Sequence, residues 1–386
     1  MKINRNSKLF IAATALSRFG SVILSIFFNY WIVSQGKSAT FLGTLTGLMY
    51  IPNIILSFVA GSLADRYQKK KLLIIFDSTS FLISLFCFLY LSINSNNSSI
   101  LIVSSLVLIL LNSLAALYGP TSRSLVPSMV EKDGIPKFNI IYTIFADCIK
   151  FIAPLALIIP FILALNLKDF FLLNSVSFFL SIILTNQIDG DINIKVLKKA
   201  RIRIPIKEIL ASPQLITVIV LFFTVNLILS SFGITLPLLC KNFIGMKHYP
   251  NLIMYQSLSS LIFSLFFLFK RKIRSSTNRI MNSSLVLSIS LILIALSPTP
   301  IFVYSACVII GAFNSYFSIT FFSVIQSNDE INKISGIYGL ISAISLIAVP
   351  IGSFTSGVLY DILGAQSLII FGCFIIIMNI LGRKQL

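Results

Sequence analysis

The feature that most constrains this chain is a succession of long apolar runs, separated by short polar stretches. A hydrocarbon core about 30 Å thick is crossed by about 20 apolar residues of α-helix. Runs of that length fall at residues 8–34, 41–63, 72–92, 99–119, 138–163 and 169–186. After a polar stretch, six more follow at 214–238, 251–270, 279–297, 300–325, 336–360 and 366–382. The pattern predicts an all-α polytopic membrane protein with twelve transmembrane helices. Of the 386 residues, 56% are hydrophobic and 11% charged, and the mean hydropathy is +0.96. A soluble domain of that composition would be covered in apolar patches, and the spans leave no room for a sizeable soluble domain.

Charge sets the expected orientation. A net charge of +18 would suggest nucleic acid in a soluble protein, but here the basic residues sit between the spans, where cytoplasmic loops collect Lys and Arg. With the N-terminus in the cytoplasm, only Lys37, Lys168, Lys241 and Lys247 fall outside, and Arg18 and Lys150 fall within spans. Both termini are therefore expected in the cytoplasm of a multi-pass inner-membrane protein, with the lipid bilayer and no nucleic acid as partner. The basic N-terminus before an apolar run has the form of a signal peptide, but Arg18 interrupts the run and apolar character resumes to Trp31, so it reads as a retained first helix. The expected domains are a six-helix bundle over 1–186, a cytoplasmic linker over 187–213 and a second six-helix bundle over 214–386. The linker carries Lys195, Lys198, Lys199, Arg201, Arg203 and Lys207, a basic face for anionic headgroups. Ala153-Pro154 and Val349-Pro350 recur half a chain apart, in the fifth and eleventh spans, a weak internal repeat of the kind found in secondary transporters. Pro154 and Pro350 are candidate helix bends, since a proline frees a carbonyl at depth. With both halves in one chain, a monomer is expected.

Cys87, Cys148, Cys240, Cys307 and Cys373 have neither pairing nor ligand spacing, and read as small membrane-facing residues rather than a disulfide frame or metal site. Ionisable residues inside spans are costly and therefore informative. They are Arg18 in the first span, Asp77 in the third, and Asp147 with Lys150 in the fifth. Arg18 and Asp147 each lie roughly 15 Å deep and can pair if their helices face one another. Asp147 and Lys150 are three apart on one helix and can also neutralise each other. Asp77 is near the basic loop, where it can anchor Arg66 or Lys70. The alternative is that Asp147 or Asp77 exchanges protons with an aqueous cavity while Arg18 or Lys150 biases it. Asn226, Asn314, Tyr316, Phe27, Phe28 and Tyr30 are candidates for a cavity wall.

The loop between the second and third spans reads Gly61-Ser62-Leu63-Ala64-Asp65-Arg66-Tyr67-Gln68-Lys69-Lys70-Lys71. It resembles the signature loop of the major facilitator superfamily, departing from it at Gln68, where the pattern usually has glycine. The resemblance implies two pseudo-symmetric six-helix bundles, with Gly61, Asp65 and Arg66 forming a latch that helps to close the cytoplasmic side against the eleventh helix. Pro120-Thr121-Ser122-Arg123-Ser124-Leu125-Val126-Pro127, Asn139, Ser17-Arg18-Phe19-Gly20 and Asp77 are similar to the macrolide-efflux-like branch of drug:proton antiporters. The glycines that antiporters often carry in the fifth helix are absent from Ala153-Pro154-Leu155-Ala156-Leu157-Ile158-Ile159-Pro160.

The expected function is secondary active transport by alternating access: proton-coupled export of an amphipathic small-molecule substrate, macrolide or multidrug-like. No cofactor is expected beyond an ion gradient, taken as H+. The alternatives are export of a native metabolite such as a siderophore, lysophospholipid transport, or a non-transporting receptor. A membrane enzyme is disfavoured because the single histidine, His248, has no nucleophile, metal set or carboxylate pair beside it in sequence. No Gly-x-x-x-x-Gly-Lys-Ser/Thr loop is present to hydrolyse ATP by that route.

Overall fold

The structure is a computed structural model. It describes residues 5–129, 144–145, 148–154, 166–188, 213–269, 277–326 and 334–384, with side chains at 57–66, 123–124, 127–129, 213–215, 218, 267–269, 277–280, 318–326, 334–345 and 382–384 excepted. Eleven α-helices lie among these residues. They are α1 (Arg5–Ser34), α2 (Ala39–Arg66), α3 (Lys69–Ile93), α4 (Asn97–Met129), α5 (Leu167–Asn186), α6 (Pro213–Leu239), α7 (Tyr249–Phe269), α8 (Thr277–Leu296), α9 (Pro300–Gln326), α10 (Ile334–Leu363) and α11 (Ser367–Lys384). Eight segments among the described residues are long and apolar enough to cross a membrane. Most of the fifth span lies outside the described residues, so α5 corresponds to the sixth span and α11 to the twelfth.

Without water to satisfy them, backbone groups in hydrocarbon must pair within the protein, which the helix does internally. Serine and threonine hydroxyls often follow the same rule by bonding back to their own helix. Ser92 Oγ donates to Phe88 O at 2.8 Å, Ser105 Oγ to Leu101 O at 2.6 Å, and Thr224 Oγ1 to Val220 O at 2.8 Å. Apolar side chains such as Ile93, Leu82, Phe86, Ile102 and Ile301 stay exposed, as suits a lipid-facing surface.

The chain divides into two compact units, residues 1–31 with 48–200, and residues 32–47 with 201–386. In the first, α3 packs chiefly on α5 and α4. In the second, α6 packs on α10, α7 on α9, and α8 on α9 and α11. Glycines set the closest approaches: a Cβ at Gly311 would overlap the Gln256 backbone carbonyl, and one at Gly352 the Leu227 carbonyl. Small residues at helix crossings let dispersion forces hold helices together where lipid supplies no hydrophobic drive.

Two expectations change in detail. Cys87, Cys240 and Cys307 are buried and only Cys373 is exposed, so most of the cysteines fill small interior spaces rather than facing lipid. Gln68, between α2 and α3, has φ −64° and ψ 112°. Any residue adopts that conformation, so this turn does not require glycine.

The glycine crossings yield a test. Gly311→Ala should destabilise the protein by about 1–3 kcal/mol through overpacking, whereas Gly233→Ala, with open space around it, should change stability by less than about 0.5 kcal/mol. Thermal unfolding in detergent distinguishes the two.

Candidate functional site

Three helices of the first unit meet along a seam of small polar side chains. On α3 the buried stripe includes Phe76, Asp77, Ser80, Ser84 and Cys87, a three-to-four-residue spacing that keeps one face toward its neighbours. On α5 the corresponding stripe includes Asn174, Ser177, Phe178 and Ser181. On α1 it is Ser17, Gly20 and Ser21, and a Cβ at Gly20 would overlap Ser177.

Asp77 sits at the centre of this seam, 1% exposed. Ser17 Oγ donates to its Oδ1 at 3.1 Å and Ser181 Oγ to its Oδ2 at 2.7 Å. Among the described residues, no lysine or arginine pairs with it. Further along, Asn174 Nδ2 donates to Ser84 Oγ at 3.1 Å, and Ser177 Oγ to Asn174 O at 2.7 Å. Phe27 of α1 stacks on Phe170 of α5 with centroids 3.8 Å apart.

A cavity of about 420 Å³ opens beside the seam. Its polar lining includes Arg18, Ser21, Asp77, Ser80, Asn112 and Tyr118. Asn112 spends one amide N–H within α4, donating to Leu108 O at 2.9 Å, which leaves its amide oxygen and second N–H to meet a ligand. The site thus combines a guanidinium, a carboxylate, hydroxyls and an amide. It can hold a polar organic molecule, and it can exchange a cation at the carboxylate.

The structure brings Arg18 and Asp77 to one cavity. Asp77 does not anchor Lys70: Lys70 Nζ instead donates to Asn186 O at 2.9 Å and Ile188 O at 2.7 Å, covering free carbonyls at the end of α5. Lys150 is exposed and is not among the cavity-lining residues. Asp147 and Asn139 lie outside the described residues, as do the side chains of Asp65 and Arg66, although the helix of α2 runs through Gly61 to Arg66. Pro154 is buried, and Pro350 lies inside α10.

None of Phe27, Phe28, Tyr30, Asn226, Asn314 or Tyr316 lines this cavity. Tyr316 belongs to an aromatic cluster of the second unit, edge-on to Phe263 and Phe313 at 6.4 and 6.3 Å. Sequence reading missed Ser181, Ser80, Asn112 and Tyr118. The repeat of Asn174, Ser177 and Ser181 at helical spacing was the available sign that α5 carries a polar face.

Single substitutions can weigh the seam. Ser17→Ala and Ser181→Ala each delete one donor to Asp77, with an expected cost of about 1–2 kcal/mol. In an Asp77→Ala background the same changes should cost less than about 0.5 kcal/mol, because their shared acceptor is gone. Thermal unfolding of the single and double variants measures this coupling.

Comparison with known proteins adds family and fold. The profile described as Major Facilitator Superfamily matches residues 10–350. A "Staphyloferrin A transporter" of Staphylococcus aureus is 29% identical over 127 residues, covering 33% of this chain and 31% of that protein. The match therefore spans about a third of the length of this curated relative. Among solved structures, a variant of the nucleoside transporter NupG superposes with a TM-score of 0.76 at 12% identity, over 99% of this chain and 100% of that one. A bacterial homologue of the iron transporter ferroportin, in an inward-facing state, gives 0.71 at 17% identity, over 100% and 99% of the two chains. At these identities the structural likeness speaks to fold alone.

Proposed function

The chain belongs to the major facilitator superfamily, whose members are multi-pass secondary transporters and not enzymes, and from that premise we propose that it exports a small polar metabolite of siderophore type by proton exchange. The observation that carries the proposal is Asp77, a carboxylate withdrawn from water, held by two hydroxyls and placed in the wall of a polar cavity with Arg18. A charge in a membrane interior must be compensated or neutralised. Ser17 and Ser181 compensate the anion through hydrogen bonds, and a proton neutralises it. The two conditions differ in net charge, so the cavity that Arg18 shares changes its affinity for a substrate anion when Asp77 takes or loses a proton.

The substrate class follows from the lining. Hydroxyls, an amide oxygen and a guanidinium match the carboxylates and hydroxyls of a polar metabolite. The partial similarity to a "Staphyloferrin A transporter" supports the same reading. Export of an amphipathic, macrolide-like compound is the second reading, and the aromatic cluster of Phe263, Phe313 and Tyr316 favours it. In either case the unit of transport is taken as one chain in the cytoplasmic membrane, with both termini in the cytoplasm and with bundles over 1–186 and 214–386 joined by the linker at 187–213. Asp147 and Lys150 stay as a further coupling pair, Gly61, Asp65 and Arg66 as the cytoplasmic latch, and Pro154 and Pro350 as bends.

Everted vesicles test this reading. An imposed proton gradient should drive uptake of a hydroxycarboxylate siderophore, and Asp77→Asn should reduce gradient-driven uptake at least about tenfold at matched protein level. Counterflow exchange without a gradient should survive. Gradient-driven uptake that is equal in wild type and Asp77→Asn removes Asp77 as the proton carrier. Uptake of macrolides in place of siderophores selects the second reading.

A further inference from the structure

We propose that Asp361 is the catch of a latch that pins the first turn of α2 to α10 and must release for that end of α2 to move. The contact lies wholly within the second unit, which takes residues 32–47 although the rest of α2 belongs to the first.

The first N–H groups of a helix have no partner in the helix itself. In α2 they are met from a helix more than 300 residues away. Ala39 N donates to Asp361 Oδ1 at 2.9 Å, and Thr40 N donates to Asp361 Oδ2 at 2.8 Å. Ser38, the residue before the helix, supplies the local cap, accepting from Phe41 N at its Oγ at 3.1 Å and from Leu42 N at its carbonyl at 3.2 Å. One carboxylate therefore closes both N–H groups that the local cap leaves open, and its charge faces the positive end of the helix dipole.

Beneath that catch, two small-residue faces lie backbone to backbone. On α2 the spacing is Gly43-x-x-x-Gly47, and on α10 it is Pro350, Ser353 and Gly357. A Cβ at Gly43 would overlap the Ser353 carbonyl, and one at Gly357 would overlap the Ala39 carbonyl. Gly47 lies against Pro350, with room for a Cβ 3.4 Å from its carbonyl oxygen. At Gly43 and Gly357 this face sets backbone against backbone, with no side chain of the glycine itself to withdraw when the helices part. Asp361 itself is exposed, where water can replace the protein donors as they leave. A catch made by one exposed carboxylate, with the Thr40 bond exposed and the Ala39 bond part-buried, over a glycine face is suited to repeated opening. A buried ion pair there would resist it.

The proposal goes beyond the transport reading and depends on it only for the purpose of the movement. Its test needs neither substrate nor proton gradient. Ala39 is 1% exposed, while its neighbour Ser38 is exposed. Ala39→Cys should therefore react with a membrane-impermeant maleimide far more slowly than Ser38→Cys, over the background of the native cysteines. Adding Asp361→Ala should speed labelling of Ala39→Cys roughly fivefold or more, the factor set by losing a helix cap. Gly43→Val, which wedges the same contact from within, should do so independently and covers the case in which Asp361→Ala fails to fold. Equal labelling of Ala39→Cys and Ser38→Cys in the otherwise unaltered protein overturns the latch. So does an unchanged rate in both variants. Labelling of everted vesicles but not of intact cells would reverse the expected orientation and leave the latch standing, and failed transport with accelerated labelling would sink the transport reading alone.

Discussion

Hydrocarbon offers no hydrogen bonds, and the arrangement of this protein follows from how its polar atoms are satisfied without them. Most hydroxyls solve the problem locally, bonding to a carbonyl one turn back in the same helix. The exceptions tie helices together. Ser17 and Ser181 reach across to Asp77, Asn174 to Ser84, Ser231 to Gly352 O, and Ser288 to Gly372 O. Each such bond requires close approach, so the same helices carry glycine or serine where they cross.

The two units use this scheme with different chemistry. In the second, Asn379 Nδ2 donates to Ser284 Oγ at 2.8 Å, joining α11 to α8. In the first, Ser181 donates to Asp77, joining α5 to α3. Asp77 and Ser284 both lie about two turns into their helices, so the first unit carries a carboxylate where the second has a neutral hydroxyl. A neutral pair gains a hydrogen bond and little else. A carboxylate in the same place brings a desolvation cost that only donors or a proton can relieve, and packing alone does not account for choosing it. This asymmetry is the physical argument behind the proposal that ion coupling runs through the first unit.

Much of the fold was legible because transmembrane helices announce themselves by length and composition, and both are local in sequence. Asp77 and Arg18 were visible for the same reason: a charge inside an apolar run stands out. The partners of Asp77 were not, since Ser17 is 60 residues away and Ser181 is 104 away, and serine is too common in these spans to be singled out. The anchoring of Asp77 to Lys70 failed because helix ends compete for cations: the open carbonyls of α5 took Lys70 instead. Asp361 escaped notice for the opposite reason. A carboxylate just past the end of an apolar run looks like an ordinary interfacial residue, and only the folded chain shows which helix it caps. Gly43-x-x-x-Gly47 was a readable sign that α2 meets another helix closely, but not which one.

The strengths of these contacts decide what they can do. A side-chain helix cap is worth about 1 kcal/mol, close to the thermal scale, and a hydrogen bond between membrane helices averages about 0.6 kcal/mol. The seam around Asp77 combines several such bonds with close packing at Gly20, so α1, α3 and α5 should move together as one block. The grip on the first turn of α2 rests on one exposed carboxylate, which accepts from Ala39 N and Thr40 N, and on a glycine face. Because α2 belongs to the second unit over residues 39–47 and to the first from Leu48 onward, loosening that grip asks for no break in the seam. The weaker contact yields first, so the cavity can keep its shape while the end of α2 comes free.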